Sequence, residues 1–234
     1  MKRFLPQISL ILIVLLTACN QQGGLDRSVL EDSTRPDKEK AQDAARKVIE
    51  VYEFFGIEPG MTVADLWPGG GYNMHILSRL MGDKGKVFCM MGIQEDRYQL
   101  TEVIDARVAK ASLTNVEVFY LPSDLPKNSI DIMVAVRNYH DHDTPRDQLL
   151  ADLRAALKPG GIVGIVEVAT DRPGWDEETH RLNEKVVIEE FTSNGFTLEA
   201  SSDILRNPDD NYSISGFDEG RYNMDRYLLK FRKN

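Results

Sequence analysis

The sequence predicts an α/β fold with a doubly wound, mostly parallel sheet of seven strands. Three observations support this prediction. Short apolar runs alternate with segments of helical spacing along most of the chain, which is typical of βα units. Two of the runs, Ile130–Val136 and Ile162–Val168, are almost continuously apolar, as expected of strands buried on both faces. Three consecutive glycines, at positions 69 to 71, closely follow the apolar run at residues 62–66, which is the first predicted strand.

The individual elements follow from periodicity and turn residues. Apolar residues at helical spacing predict a leading helix over Pro36–Phe55 that stops at Gly56. The predicted strands are Thr62–Leu66, Lys86–Met91, Val116–Tyr120, Ile130–Val136, Ile162–Val168, Phe196–Ile204 and Tyr222–Phe231. The later predicted helices are Tyr72–Met81, Gln94–Ala111, Thr144–Leu157 and Glu177–Asn194. Because no helix separates the last two strands, the final strand is expected to insert antiparallel.

The first nineteen residues have the anatomy of a bacterial export signal. Lys2 and Arg3 precede the apolar run Ile8–Leu16, which is too short to span a bilayer comfortably. The ending Leu16–Cys19 resembles a lipoprotein signal, in which Cys19 becomes the lipidated first residue. A cleaved ordinary signal and an uncleaved anchor are the alternatives. The expected location is the periplasmic side of a membrane, with the outer membrane favoured.

The rest of the chain is predicted to form a flexible tether, residues 20–35, and a single domain, residues 36–234. Acidic residues outnumber basic residues by 37 to 28, and the formal net charge is −9. This excess disfavours nucleic acid as a partner, because phosphate backbones are bound by clustered Lys and Arg. With Cys19 lipidated, Cys89 is the one remaining thiol and is predicted to be a buried core residue, so no internal disulfide is expected.

The stretch from residue 63 to residue 72 predicts a cofactor site. A predicted strand carries Asp65 and is followed by a proline, three glycines and a helical segment. Glycines adopt positive φ angles easily and let a ligand approach the main chain, while the helix directs free N–H groups toward it. The pattern indicates a nucleotide-type cofactor at the first strand-to-helix crossing. The glycines are not spaced G-x-G-x-x-G, so a tight turn without a ligand is the alternative.

These residues resemble a known family, the class I S-adenosylmethionine-dependent methyltransferases. Residues 65–71 are similar to the first motif of that family, which is usually D/E-x-G-x-G-x-G. Residues 157–161 are similar to its L-K-P-G-G turn, and residues 123–133 resemble the stretch that leads into its fourth strand. Shorter stretches around residues 54–57, 138–141 and 205–208 are similar to a group of exported, methyltransferase-like bacterial proteins. The agreement extends over about residues 45–205.

The resemblance implies S-adenosylmethionine as the cofactor, with the glycine turn near its methionine part and Asp65 near its amino group. Trp67 stands where a glycine is usual, which would narrow the pocket. The acid that commonly ends strand two is replaced by Met91 and Gly92, with Gln94 and Glu95 as the nearest substitutes. The cofactor-binding residues implied are Asp65, Trp67, Pro68, Gly69, Gly70, Gly71, Tyr72, Glu95 and Asn138.

A polar cluster at residues 138–143 follows the fourth predicted strand and is expected to border the same crevice. His140 is the predicted general base toward a substrate hydroxyl or amine, with Tyr139 and Asp141 as further catalytic candidates. A loop-bonded histidine is the alternative for His140, and helix capping is favoured for His142 and Asp143. No metal is predicted, because adjacent residues of one loop seldom converge on one ion.

Two later segments are weaker candidates. His180 and Arg181 are placed on the helix predicted over Glu177–Asn194, where a surface position is preferred to a lid contact. The polar loop 207–221 is long enough to cover a substrate. The predicted function is S-adenosylmethionine-dependent methyl transfer to a small molecule. The alternative is a non-catalytic envelope binding protein that retains the fold. Two observations support it: the missing acid after strand two and the export signal.

Overall fold

The computed structural model describes residues 24–92, 98–142 and 144–234. Within these ranges the strands are β1 (Thr62–Leu66), β2 (Lys86–Met90), β3 (Val116–Phe119), β4 (Ile130–Val136), β5 (Leu157–Val168), β6 (Trp175–Asp176), β7 (Arg181–Leu182), β8 (Phe196–Ser202) and β9 (Arg226–Lys233). Seven of these described strands form one sheet in the order β3-β2-β1-β4-β5-β9-β8. The other two, β6 and β7, pair with each other as a short hairpin.

The strand directions confirm the predicted sheet. All pairings from β3 to β5 are parallel, and β9 runs antiparallel to both β5 and β8. After β1 the chain adds β2 and β3 on one side, then crosses back to add β4 and β5 on the other. The winding therefore reverses between β1 and β4. Open α/β sheets bind their ligands at the carboxyl ends of strands at such a point.

Helices cover both faces of the sheet. In the described ranges they are α1 (Asp37–Lys40), α2 (Asp43–Arg46), α3 (Val48–Phe55), α4 (Tyr72–Met81), α5 (Leu100–Ala111), α6 (Arg146–Ala156) and α7 (Glu184–Ser193). The helices α3, α4 and α5 contribute to one apolar core, and α6 and α7 contribute to the other. Within β1, Val63 belongs to the first core and Ala64 to the second, as the alternation of side chains along a strand requires.

The prediction of one leading helix over residues 36–55 is wrong, because α1, α2 and α3 take its place. Lys47 separates α2 from α3 with a φ of 45°, in the left-handed region. Its Nζ donates a hydrogen bond of 2.8 Å to the carbonyl of Ile204, so a contact with a distant segment holds the break. Gly56 ends α3 with a φ of 84°, which confirms the predicted stop.

Residues 24–35, which the sequence analysis assigned to the tether, pack against the domain. Leu25 is 9% exposed and joins the core beside α3. Asp32 accepts a hydrogen bond of 2.6 Å from Arg79 and lies 3.0 Å from the Nε2 of His75, both on α4. Residues 27–31 form a 3₁₀ turn. The packed domain therefore includes residue 24, whereas the signal, Cys19 and residues 20–23 lie outside the described residues.

The prediction that His180 and Arg181 lie on a helix is also wrong. They belong to the β6–β7 hairpin, and α7 begins only at Glu184. The reason is local capping: Asn183 accepts a hydrogen bond from the Lys185 amide and so starts the helix later than predicted. Arg181 is fully buried and pairs with Asp210 at 2.8 Å. In residues 24–92, 98–142 and 144–234, no helix is long and apolar enough to cross a membrane.

Candidate functional site

A cleft of about 440 Å³ lies beyond the carboxyl ends of β1 to β4. Its wall includes a residue from the segment that follows each of these strands: Trp67, Gly92, Tyr120 and Asn138. Several of the exposed large apolar side chains of the described chain also line it, namely Tyr98, Tyr120, Leu121 and Phe217. The cleft therefore lies at the predicted edge of the sheet, and residues 138, 141 and 142 of the polar cluster border it. Its mixture of aromatic surface and a few polar groups is typical of a small-molecule site.

The glycine turn between β1 and α4 leaves its backbone open. Gly69 and Gly71 have φ angles of 53° and 83°, which favour glycine. No heavy atom lies within 4 Å of the position that a Cβ would take at Gly69 or Gly70. A Cβ at Gly71 would instead lie 2.8 Å from Ile104 on α5, so this glycine allows helix packing. A ligand can approach the main chain at the first two glycines.

Trp67 lines the cleft without closing it. Its φ of 52° is left-handed, a conformation that glycine adopts most readily, and its amide donates a hydrogen bond of 2.7 Å to the Met90 carbonyl. The indole lies against Gly92, where a Cβ would come within 2.7 Å of the indole Nε1. It also stacks on His142, with 5.5 Å between ring centroids. Trp67 therefore narrows the cleft between the ends of β2 and β4, as predicted from the residue type.

Asn138 links the ends of β1 and β4. Its Nδ2 donates hydrogen bonds of 2.9 Å and 2.8 Å to the carbonyls of Leu66 and Trp67. Its Oδ1 is buried in the cleft wall and has no hydrogen-bond partner among the described residues. Because a buried acceptor without a donor is costly, this oxygen is a candidate contact for a ligand donor.

Three other predicted cofactor residues, Asp65, Pro68 and Tyr72, do not line the cleft. Asp65 is fully buried on the face of β1 that carries α3 and α4, and its charge adds to the effect of burial in raising the pKa of Tyr52. The Tyr72 hydroxyl donates a hydrogen bond of 2.5 Å to Asp43, so this side chain is directed toward α2 and away from the cleft. Pro68 is buried in the turn. Glu95 lies outside the described residues, as does its neighbour Gln94.

His140 does not line the cleft. Its side chain is 2% exposed, and its Nδ1 lies 2.9 Å from the Oε2 of fully buried Glu167. Burial lowers the pKa of the His140 imidazole, but the charge of Glu167 and contacts with Asp141 outweigh burial and raise this pKa to about 9. Because the ring is buried outside the cleft lining and its Nδ1 is bonded to Glu167, the geometry does not favour the predicted role as a general base.

Tyr139 is a core residue. It is fully buried, its hydroxyl donates a hydrogen bond of 2.8 Å to Glu190, and its ring packs against Phe191. Its amide donates to Glu167 at 2.8 Å. The predicted role in positioning a methyl acceptor is not supported by this placement. Tyr139 instead helps to hold the polar cluster in register with β5.

Two residues that the sequence analysis did not select do line the cleft. His142 faces it beside Trp67, and burial followed by the charge of Arg146 lowers its pKa to about 3, so it is neutral at physiological pH. Pro145 precedes α6 at the capping position, and Asp143 lies outside the described residues. His180 reaches the cleft from the β6–β7 hairpin, where its Nε2 lies 3.2 Å from Asp141. The sequence predicts that the segment 138–143 borders the crevice and offers a lid contact as the alternative for His180, but it singles out neither histidine as a site residue.

The loop at residues 207–221 closes one side of the cleft. The Phe217 ring lies 4.5 Å from the His180 ring, and the Gly216 amide donates a hydrogen bond of 3.1 Å to the Thr179 carbonyl. The Arg137 guanidinium donates to the Gly216 carbonyl at 3.1 Å. These bonds fix the loop beside the hairpin. It has the position that a substrate cover requires.

Comparisons with known proteins relate the chain to methyltransferases. No family model matches the sequence. The chain is 30% identical over 138 residues to the ubiquinone/menaquinone biosynthesis C-methyltransferase UbiE of Teredinibacter turnerae. This alignment covers 56% of the chain and 52% of that protein, so the chain spans about half the length of this curated relative.

Solved structures align with most of the chain. A SAM-dependent methyltransferase from Aquifex aeolicus superimposes with a TM-score of 0.65 at 21% identity, covering 89% of this chain and 99% of that one. Geranyl diphosphate C-methyltransferase from Streptomyces coelicolor A3(2), crystallised with Mg²⁺, geranyl-S-thiolodiphosphate and S-adenosyl-L-homocysteine, superimposes with a TM-score of 0.62 at 13% identity, covering 91% and 86%. With the strand order, these similarities show that the chain has the Rossmann-like fold of class I methyltransferases.

Proposed function

We propose that this chain is an S-adenosylmethionine-dependent methyltransferase that acts on a small molecule. The observation that carries the proposal is the cleft at the switch point of the sheet, with Trp67 in its wall and an open glycine turn directly after Trp67 in the chain. Methyltransferases of the same fold, one of them holding S-adenosyl-L-homocysteine, add support. Because a fold does not fix a function, the residues of the cleft must also fit the cofactor.

The residues present fit this cofactor. The backbone at Gly69 and Gly70 is open to its methionine part, and the Oδ1 of Asn138 is an acceptor for its ammonium group. Exposed rings of Tyr98 and Tyr120 offer apolar surface for its adenine. When bound, the cofactor supplies an electrophilic methyl group. The acidic residue that commonly ends strand two and contacts the ribose is replaced by Met91 and Gly92. The proposed contacts are therefore concentrated on the methionine and adenine ends of the cofactor.

The contribution of the protein to methyl transfer would be positioning. The cleft walls would hold the methyl acceptor next to the bound cofactor. Holding the two reactants together in this way converts a bimolecular reaction into one between aligned groups. His142 is neutral and lies in the wall, so it can accept a hydrogen bond from an acceptor hydroxyl or amine. Trp67 and Phe217 restrict water and limit the acceptor to a small molecule.

A substitution series at Gly70 tests this function. Gly70 has no heavy atom near its Cβ position and no positive φ, so a larger side chain would occupy the open space over the turn, where the methionine part of the cofactor is proposed to bind, without straining the backbone. Titration calorimetry of the full chain with S-adenosylmethionine and S-adenosylhomocysteine should give saturable binding. Gly70→Ala should weaken it slightly and Gly70→Val by tenfold or more, with unchanged melting temperatures. Absence of binding at millimolar ligand to the wild-type chain would favour the non-catalytic binding protein instead.

We also propose that the protein is exported and anchored in a membrane through lipidated Cys19, facing the periplasm. Support comes from the residue pattern alone: two basic residues, a short apolar run and the Leu-Thr-Ala-Cys ending. An acceptor found in the cell envelope would be consistent with this location. The acceptor would then meet the cleft on the periplasmic side.

A further inference from the structure

Three side chains from two separate segments converge beside the cleft. His140 and Asp141 follow β4, and His180 lies in the turn between β6 and β7. One ligand atom from each of the three lies within 4.8 Å of the other two. The Oδ2 of Asp141 lies 3.2 Å from the Nε2 of His140 and 3.5 Å from the Nε2 of His180, and its Oδ1 lies 3.2 Å from the same His180 atom.

Glu167 sets the orientation of the His140 ring by bonding to its Nδ1. The Glu167 carboxylate is fully buried and also accepts a hydrogen bond from the Tyr139 amide. The Nε2 is thereby directed toward Asp141 and His180. This Nε2 is buried and makes no hydrogen bond among the described residues, because its contact with Asp141 lacks hydrogen-bond geometry. A carboxylate behind a histidine is the arrangement that orients metal-binding imidazoles.

Aromatic rings hold the other members in place. Trp175 stacks on the His140 ring at 4.5 Å and lies edge-on to His180 at 4.7 Å. Phe217 packs against the opposite side of His180. The two imidazoles are perpendicular, with 4.5 Å between their centroids. The cluster therefore has fixed ring orientations before any ligand arrives.

We infer that His140, Asp141 and His180 bind one divalent transition-metal ion. Two imidazoles and one carboxylate are a donor set that suits Zn²⁺ or Fe²⁺. Tetrahedral coordination at ~2.1 Å would place ligand atoms about 3.4 Å apart, close to the observed spacing around Asp141. Three protein ligands leave a coordination position open, and Asp141 and His180 both line the cleft.

This geometry removes the objection that the sequence raised against a metal. The objection was that adjacent residues of one loop seldom converge on one ion. The structure supplies a ligand from a different segment, the hairpin that the sequence analysis placed in a helix. His142, the neighbouring histidine of the loop, is turned away from the group and stacks on Trp67.

The open coordination position gives the ion a role in the proposed methyl transfer, and this step rests on the proposed function. An oxygen, nitrogen or sulfur of the acceptor that binds the ion would lose its proton more easily, because the metal charge stabilises the anionic form. Metal binding itself does not depend on methyl transfer. The two proposals therefore fail separately.

The test is metal titration of the full chain, purified without a histidine tag. Zn²⁺ is measured by competition with a chromophoric chelator, and Co²⁺ by its visible absorption. We expect one ion per chain. His180→Gln and Asp141→Asn should each weaken binding at least tenfold, because each removes one of three ligands. Glu167→Gln should weaken it roughly 10–100-fold through the orientation of His140.

His142→Gln is the matched control, because it removes a histidine of the same loop that is not a proposed ligand. Its metal affinity should equal that of the wild-type chain. His180 is partly exposed, so its variant is expected to fold, and a thermal melt of each variant verifies this. Absence of saturable binding would show an ion-pair network only and would overturn the inference. So would binding that survives in both His180→Gln and Asp141→Asn, or that is lost in His142→Gln.

Discussion

Asn138 connects the strand that carries the glycine turn to the strand that carries the polar cluster. Its amide nitrogen donates hydrogen bonds to two consecutive carbonyls, those of Leu66 and Trp67. The backbone of Trp67 is in the left-handed region. These bonds hold a conformation that is unfavourable for a tryptophan. The same side chain leaves its oxygen for the cleft. One residue thus combines support of the turn with a proposed ligand contact.

Replacing Asn138 by aspartate separates these two roles. The change is isosteric, but it removes the donor and places a carboxylate oxygen against two carbonyls. We expect the free energy of unfolding to fall by about 1–3 kcal/mol, measured by urea denaturation. Asn223→Asp, at an exposed position, serves as the control and should have little effect. Unchanged stability of Asn138→Asp would contradict the assigned amide orientation.

The residue scale also shows what the sequence reveals about a site and what it does not. Trp67 was predicted near the cofactor because it lies in the motif that follows a strand, which is a local pattern, and it lines the cleft. Tyr139 and His140 share the same loop, but their side chains turn inward to Glu190 and Glu167. That choice depends on partners on β5 and α7, which local spacing does not specify. For His180 the surface position was preferred to a lid contact for the same reason.

At the scale of elements, buried strands were predicted well and polar connections were not. The apolar runs of β1, β4 and β5 have a composition that only a strand inside a parallel sheet explains. The hairpin β6–β7 depends instead on Arg181, which is buried against Asp210 from a remote loop. Residues 24–35 present scattered charges in sequence, yet Asp32 and Arg35 each bind partners on neighbouring helices. Charged segments of this kind have no apolar signal that would predict packing.

The segment that carries Asp32 should make stability depend on pH. Burial raises the pKa of Asp32, but bonds with His75, Thr34 and Arg79 outweigh it and hold the pKa well below its usual range. Burial lowers the pKa of His75 despite its contact with Asp32. In both cases the unfolded state binds protons more readily than the folded state does, so the two groups contribute their full stabilisation of the fold at neutral pH. This stability begins to decline as the pH falls below about 6.5 for His75 and about 4 for Asp32, the ordinary pKa values, and the decline continues down to the lowered pKa of each group in the folded state.

Asp32→Asn tests this dependence. The variant should unfold at a lower urea concentration at pH 7, by about 1–3 kcal/mol, because charge-assisted bonds to α4 are lost. The difference from the wild-type chain should shrink below about pH 4, where the wild-type carboxylate also loses its charge on unfolding. Urea denaturation from pH 3 to pH 8 measures both effects, with exposed Asp83→Asn as the control. A constant difference at all pH values would contradict the assignment.

At the scale of the whole molecule, the proposed anchor and the packed domain lie close together in sequence. The described domain includes residue 24, whereas the proposed lipidated residue is Cys19. An extended chain spans at most ~3.6 Å per residue, so the domain would stand within roughly 20 Å of the bilayer surface. The sequence alone had suggested a tether of sixteen residues. A short connection would restrict the cleft to acceptors that are at or near the membrane.

Cys19→Ser tests the anchor. The wild-type chain, expressed in a bacterium with labelled fatty acid, should carry the label and sediment with membranes. The variant should lose the label, because serine offers no thiol for lipidation. Its affinity for S-adenosylmethionine, measured by titration calorimetry, should be unchanged, since none of the proposed cofactor contacts involves residue 19. A labelled Cys19→Ser chain, or an unlabelled wild-type chain, would contradict lipidation at this position.

The chain has two tryptophans, and both lie against an imidazole of the site: Trp67 against His142 and Trp175 against His140. Tryptophan emission from the native protein, excited selectively at wavelengths beyond the tyrosine absorption, therefore originates entirely at this site. Trp175→Phe would leave a reporter for the end beside the glycine turn, and Trp67→Phe a reporter for the end beside the histidine pair. Occupancy of each end is thus observable separately by its own fluorescence, without any attached dye.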